Sequence, residues 1–339
     1  MEHSKEIVMD RLNKLGVRPN ENIGQHFLVD DQVVNFLAGY PETQDTVLEI
    51  GVGVGQLTER LAVRAHQVIG IEIDRRFEPV LEDVIREHPN VKIVFGDALS
   101  YNLDNLASRQ GKQPYRVISN LPYHITEPFI HKLALSSAGD SVLVVGRKFA
   151  LSAQATSEES PDFGALTLLA NTFFDVSFEM LVKKESIYPS PRAESTIIRL
   201  TPHRGREYFV DQRLFLLRRL FLTSKMNPLV KNALKEGLID YYAEAVGNGT
   251  LSKSETNRKS RRSKRAELRE FVERYKNGDP YLIEGNYKKD STTRFLTQNS
   301  ARSIIDEMNI PLDVLNKSFS QLNNSEMRIL SKVLKRLLK

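Results

Sequence analysis

Leu48-Glu49-Ile50-Gly51-Val52-Gly53-Val54-Gly55 reads as a short apolar strand that runs into glycines at alternate positions. Glycine lets the backbone turn sharply after a strand and approach a ligand closely. A second β-branched run, Gln67–Glu72, follows after the helical pattern Gln56–Val63. Val91–Phe95, Tyr115–Ser119 and Ser141–Gly146 continue the alternation, with helical stretches such as Arg75–Glu87 between them. Strand–helix alternation of this kind predicts a parallel sheet with helices on both faces. Val176–Val182 and Ser195–Leu200 flank the loop Tyr188-Pro189-Ser190-Pro191. Two extended runs around a loop with two prolines predict an antiparallel pair closing the sheet edge. The expectation is an α/β fold, a Rossmann-like sheet of these strands that is mostly parallel with an antiparallel edge.

Around His203-Arg204-Gly205 the pattern changes. From Tyr208 to Leu222 apolar residues recur at helical spacing, and Lys231–Leu238 and Glu326–Leu337 also read as helices. Asn323, three residues ahead of Glu326, makes a weak capping-box signal. These features divide the chain into an α/β domain at 1–203 and a small helical domain at 204–339. The second would carry a basic, partly disordered insertion near 246–293.

The glycine turn has the spacing G-x-G-x-G and is preceded by an acid, Glu49. A dinucleotide fold would use G-x-G-x-x-G, with a helix N-terminus presented to pyrophosphate. The observed spacing suits a cofactor without phosphate and favours S-adenosylmethionine over NAD. A purely structural turn is the third reading. Glu72 closes the next strand, where an acid can accept hydrogen bonds from ribose hydroxyls. In Gly96-Asp97-Ala98-Leu99, Asp97 is placed to accept from an adenine amino group, although most such residues only cap helices.

The fourth candidate strand ends in Asn120-Leu121-Pro122-Tyr123. An exocyclic adenine amine is a poor nucleophile because its lone pair is delocalised into the ring. The side-chain oxygen of Asn120 and the carbonyl of Pro122 are acceptors for its two N–H groups, and would push the nitrogen towards tetrahedral geometry. Tyr123 is positioned to stack on the base. Such a site works by positioning and polarisation and needs no strong general base. The plain alternative is a turn with a core tyrosine. Ile23-Gly24-Gln25-His26-Phe27-Leu28, ahead of the first strand, says little by itself.

Composition narrows the field. With no cysteine there is no disulfide, thiolate metal site or cysteine nucleophile. The seven histidines show no metal-ligand or nucleophile–base spacing, so no metal is expected. No apolar run approaches the roughly 18 residues of a membrane span. The N-terminus lacks an apolar signal core, which favours a cytoplasmic location. The net charge is +5, and Leu251–Glu270 alone holds eight Lys/Arg against three Glu. The basic excess therefore belongs to one segment, which is either a nucleic-acid contact or a solvated arm.

In this order the motifs resemble the ribosomal RNA adenine dimethyltransferase family. That family includes the small-subunit enzymes, the erythromycin-resistance methyltransferases and the mitochondrial transcription factor B proteins. The matching segments are Gly24-Gln25-His26-Phe27-Leu28, Glu49 to Gly55, Ile71-Glu72-Ile73-Asp74, Gly96 to Leu99 and Asn120 to Tyr123. Tyr188 to Ser195 is similar to the family's proline-rich loop. The resemblance implies a methyltransferase domain with a helical C-terminal domain that helps grip RNA. It implies S-adenosylmethionine contacts at His26, Leu28, Gly51, Gly53, Glu72, Asp97 and Asn120. Catalysis would fall to Asn120, Pro122 and Tyr123.

The resemblance also implies dimethylation of two adjacent adenosines near the 3′ end of small-subunit ribosomal RNA, by a monomer acting on a small-subunit precursor. A large-subunit enzyme of macrolide resistance and a non-catalytic RNA- or transcription-complex-binding protein are the alternatives. The departures lie on the RNA-facing side. His26 stands for the usual Asn, Asn22 for a basic residue and Ile187 for a phenylalanine, with Tyr188 beside it. Gly146-Arg147-Lys148-Phe149-Ala150 replaces a Gln-Lys-Glu-like run, and Ala165 stands where an Arg is common.

Overall fold

The computed structural model describes residues 3–107, 115–203, 212–223, 229–247 and 298–336. Two compact units emerge: Met1–Thr156 with Leu169–Pro202, and Ser157–Leu168 with His203–Lys339.

The first unit contains β1 (Phe27–Leu28), β2 (Thr46–Ile50), β3 (Gln67–Glu72), β4 (Val91–Phe95), β5 (Arg116–Asn120), β6 (Ser141–Gly146), β7 (Phe174–Val182), β8 (Ile187–Tyr188) and β9 (Ser195–Pro202). Seven of these form one sheet in the order β4-β3-β2-β5-β6-β9-β7. The first five run parallel, and β9 is antiparallel to both β6 and β7. Strand order reverses between β2 and β5, so a crevice opens beyond their carboxyl ends. Val47, Leu48 and Ile50 of β2 are all buried, because helices cover both faces of a parallel sheet.

Three details differ from the sequence expectation. The strand expected at Tyr115–Ser119 lies at Arg116–Asn120, which makes Asn120 a ladder residue opposite Val144 instead of the start of a turn. The helical stretch Arg75–Glu87 begins with a 3-10 turn, Arg75–Phe77, because the Asp74 carboxylate caps the Arg76 N–H. Lastly, β1 pairs with β8 as a separate antiparallel ribbon, Phe27 opposite Tyr188 and Leu28 opposite Ile187. Two-residue strands are too short to leave a period in the sequence.

Around the sheet lie α1 (Ser4–Leu15), α2 (Asp31–Ala38), α3 (Gln56–Ala62) and α4 (Glu78–Glu87) among others. Arg11 of α1 reaches the glycine turn, donating from Nη1 to the Val54 carbonyl at 2.7 Å and pairing with Glu59 of α3. The N-terminal helix thus fixes the far side of the turn.

The second unit is helical, with Gln212–Thr223, Val230–Gly247, Gln298–Glu307 and Asn324–Arg336 around a core that includes Leu216, Leu220, Leu234, Ile305 and Leu330. Asn323 and Glu326 form a reciprocal cap, each side chain accepting from the other's backbone N–H at 3.0 and 2.9 Å. A single boundary at residue 203 misses the Ser157–Leu168 excursion. Ser331 and Lys335 donate to the Glu158 carboxylate, Arg328 donates to the Glu158 and Phe163 carbonyls, and Phe163 and Leu168 enter this core. The basic insertion expected at 246–293 lies, from residue 248 on, outside the described residues. Among the described residues no helix is long and apolar enough to cross a membrane.

Candidate active site

The crevice at the carboxyl ends of β2, β3 and β5 holds about 560 Å³ of space, part of it open to solvent. Its walls include Gly24, His26, Phe27, Glu49, Gly51, Gly53, Gln56, Glu72, Phe77, Asn120 and Pro122. Two carboxyl groups face it, and among the described residues neither lysine nor arginine lines it.

The glycine turn follows from local geometry. Gly51 and Gly53 have φ of 73° and 61°. A Cβ on Gly53 would meet Cε1 of Phe27 at 2.8 Å, so the turn and the β1 segment touch where only hydrogen fits. Glu72 fixes the turn from below. One of its oxygens accepts the Gly53 N–H at 2.7 Å and the other accepts the Asp74 N–H at 2.8 Å. A carboxyl group offers about four lone-pair sites, so acceptor capacity remains for a ligand. Burial raises the pKa of this carboxyl, against the lowering effect of the backbone donors. Glu49, also buried, is pushed up to about 8 by burial, with the Thr58 hydroxyl bond acting the other way and the Glu72 charge adding to the rise.

Asn120 stands at the mouth. Its Nδ2 donates to the His26 carbonyl at 2.6 Å, which fixes the amide and leaves Oδ1 as its acceptor end. His26 is held in turn by a bond of 2.8 Å between Nδ1 and the Pro189 carbonyl. A carbonyl has no proton, so Nδ1 donates there and Nε2 is the other ring position. The Tyr123 hydroxyl shares a hydrogen bond of 2.6 Å with Ser195 Oγ, and its ring lies 5.5 Å from that of His26 at a tilt of 34°. Asn120, His26, Tyr123 and the proline-rich loop are therefore one assembly.

Not every expected residue reaches the crevice wall. Leu28 is fully buried in the core, so only its backbone is near the site. Asp97 is exposed, and its carboxylate accepts from the Leu99 N–H at 2.8 Å and the Ser100 hydroxyl at 3.3 Å. The Pro122 carbonyl already accepts from the Ile125 N–H at 3.1 Å and the Thr126 hydroxyl at 3.2 Å, as the first acceptor of the turn that follows. It is a shared acceptor, and Asn120 Oδ1 is the freer one. Ile187 is buried, while Tyr188 is partly exposed.

Sequence reasoning passed over Arg11, Gln25 and Gln56. Gln25 donates to Asp74 at 2.6 Å and closes the rim near Glu72. Outside the crevice, Glu59, Glu87 and His88 bring possible ligand atoms within 4.8 Å of one another, but Glu59 is already paired with Arg11.

The sheet order and the crevice at its switch point are those of a Rossmann-like α/β fold. Residues 16–261 match the family model described as ribosomal RNA adenine dimethylase. The chain is 35% identical over 227 residues to the probable ribosomal RNA small subunit methyltransferase A of Methanopyrus kandleri, covering 66% of this chain and 78% of that protein. It is 30% identical over 266 residues to ribosomal RNA small subunit methyltransferase A of Listeria monocytogenes, covering 72% and 88%. The chain belongs to the ribosomal RNA adenine dimethylase family.

Proposed function

We propose that this chain is an S-adenosylmethionine-dependent enzyme that dimethylates the exocyclic amine of adenosines in ribosomal RNA. The relatives' names favour small-subunit RNA as the substrate, and the finer proposal is two adjacent adenosines near its 3′ end, met by a monomer on a small-subunit precursor. The carrying observation is a crevice with two carboxyl groups and, among the described residues, no lysine or arginine, with a fixed amide at its mouth. That lining offers a pyrophosphate no cationic partner and presents acceptor oxygens to N–H and O–H donors.

S-adenosylmethionine would supply an activated methyl group. Glu72 would accept from the ribose hydroxyls with the lone pairs its backbone donors leave free, and Gly51 and Gly53 would let the backbone approach the ligand. Asp97 is the residue proposed for the adenine amino group, and the backbone at His26 and Leu28 for the near wall. Asn120 Oδ1 would accept an N–H of the target amine and concentrate its lone pair, with the Pro122 carbonyl as a second, shared acceptor. Tyr123, pinned by Ser195, would stack on the flipped base.

Incubation with labelled donor and unmodified small subunits, followed by mapping of modified adenines, tests this reading. Label on adenine N6 is expected. No transfer to adenine in any RNA context would overturn it, and methylation of naked large-subunit RNA alone would reassign the substrate.

A further inference from the structure

Gln56, the first residue of α3, lines the crevice but is only 5% exposed. Its Nε2 lies 3.5 Å from the Leu28 carbonyl, which leaves Oε1 as the free end of the amide. That oxygen is buried and has no hydrogen-bond partner. Buried amide oxygens are nearly always paired, so an orphan on the wall of a ligand crevice marks a place where a ligand supplies the donor. Thr58, two residues along the same helix, donates to Glu49 Oε2 at 2.7 Å. This bond ties the first turn of α3 to the second carboxyl group of the crevice. Two oxygen acceptors on one wall, with no lysine or arginine lining it among the described residues, call for a ligand group with several N–H donors.

We infer that Gln56 Oε1, beside Glu49, receives the α-ammonium of the methyl donor. The assignment rests on the donor-binding reading proposed above. Of the donor's N–H and O–H groups, that reading gives the ribose hydroxyls to Glu72 and the adenine amine to Asp97, which leaves the ammonium. A carboxylate or phosphate here has no donor to give and would leave the amide oxygen unpaired.

The test compares two ligands by isothermal titration: S-adenosylhomocysteine and its analogue lacking the α-amino group. Gln56→Met keeps the length of the side chain and removes the oxygen. It should weaken S-adenosylhomocysteine about tenfold, the scale of one lost hydrogen bond to a charged group, and leave the deaminated analogue within about twofold. Gln56→Glu keeps an acceptor oxygen and should retain the preference for the amine. The readout is the ratio of the two affinities, since disturbed packing would lower both together. Gln56→Ala gives the same ratio independently if the methionine variant does not fold. Equal loss for both ligands, or no loss for either, overturns the assignment. A wild-type chain that binds neither ligand overturns the donor reading and this inference with it. Wild-type binding of S-adenosylhomocysteine with an unchanged ratio in the variants overturns this inference alone.

Discussion

The two sides of the crevice are built differently. On the side of the glycine turn, backbone N–H groups of Gly53 and Asp74 converge on one buried carboxylate, and the residues involved lie within one β-α-β unit. On the Asn120 side the chain closes by contacts between distant segments. Asn120 holds His26, His26 holds Pro189, and Tyr123 holds Ser195. The first side is a local motif and gains its rigidity from the backbone. The second is an assembly of side chains that bridge segments far apart in the chain.

That contrast sets the order of expected effects. Asn120→Ala should lower methyl transfer by about 10²–10³-fold, the usual loss for one preorganised polar group, with donor affinity changed far less. A single-turnover assay beside a donor titration checks it, and equal losses in both would erase the distinction between the two sides. Gly53→Ala places a Cβ against the Phe27 ring at a φ of 61°. It should destabilise the fold by about 1–3 kcal/mol and weaken donor binding, as measured by urea unfolding and titration. A variant as stable as the wild type would show that the turn is looser than its contacts imply.

Glu49 gives a pH signature on the same side. Burial raises its carboxyl from 4.5 to about 8, so between these values the folded chain holds a proton that the unfolded chain has released. Its contribution to stability is full below pH 4.5 and is lost as the pH rises through 8. The melting temperature of the ligand-free protein should therefore fall more steeply from pH 5 to 8 in the wild type than in Glu49→Gln. Parallel curves would refute the shift. The smallest effect belongs to the other side. Ser195→Ala removes the partner of the Tyr123 hydroxyl and should cost about 1 kcal/mol in positioning, roughly fivefold in kcat with donor affinity unchanged.

The same contrast explains what could be read from the sequence. Thr46–Ile50, Gln67–Glu72, Val91–Phe95 and Ser141–Gly146 are strands with the bounds their β-branched runs suggest. Gly51, Gly53, Glu72 and Asn120 stand out because each sits at a strand end with a local signature. The Arg11–Val54 bond and the link from His26 to Pro189 have no such signature, since they join residues 43 and 163 positions apart. Gln56 is invisible for another reason: its significance lies in a missing partner, and only packing reveals that. The Ser157–Leu168 excursion escapes notice because twelve residues without a clear period do not announce which core they join.

The small ribbon of Phe27–Leu28 with Ile187–Tyr188 has a consequence in time. The glycine turn, Glu72 and Asn120 are all made before residue 121 leaves the ribosome, but the strand that seats His26 against Pro189 is made later. During synthesis from the N-terminus the half of the crevice around the glycine turn is complete in sequence first. The face built on His26 and Pro189 is the last part of the crevice to be completed.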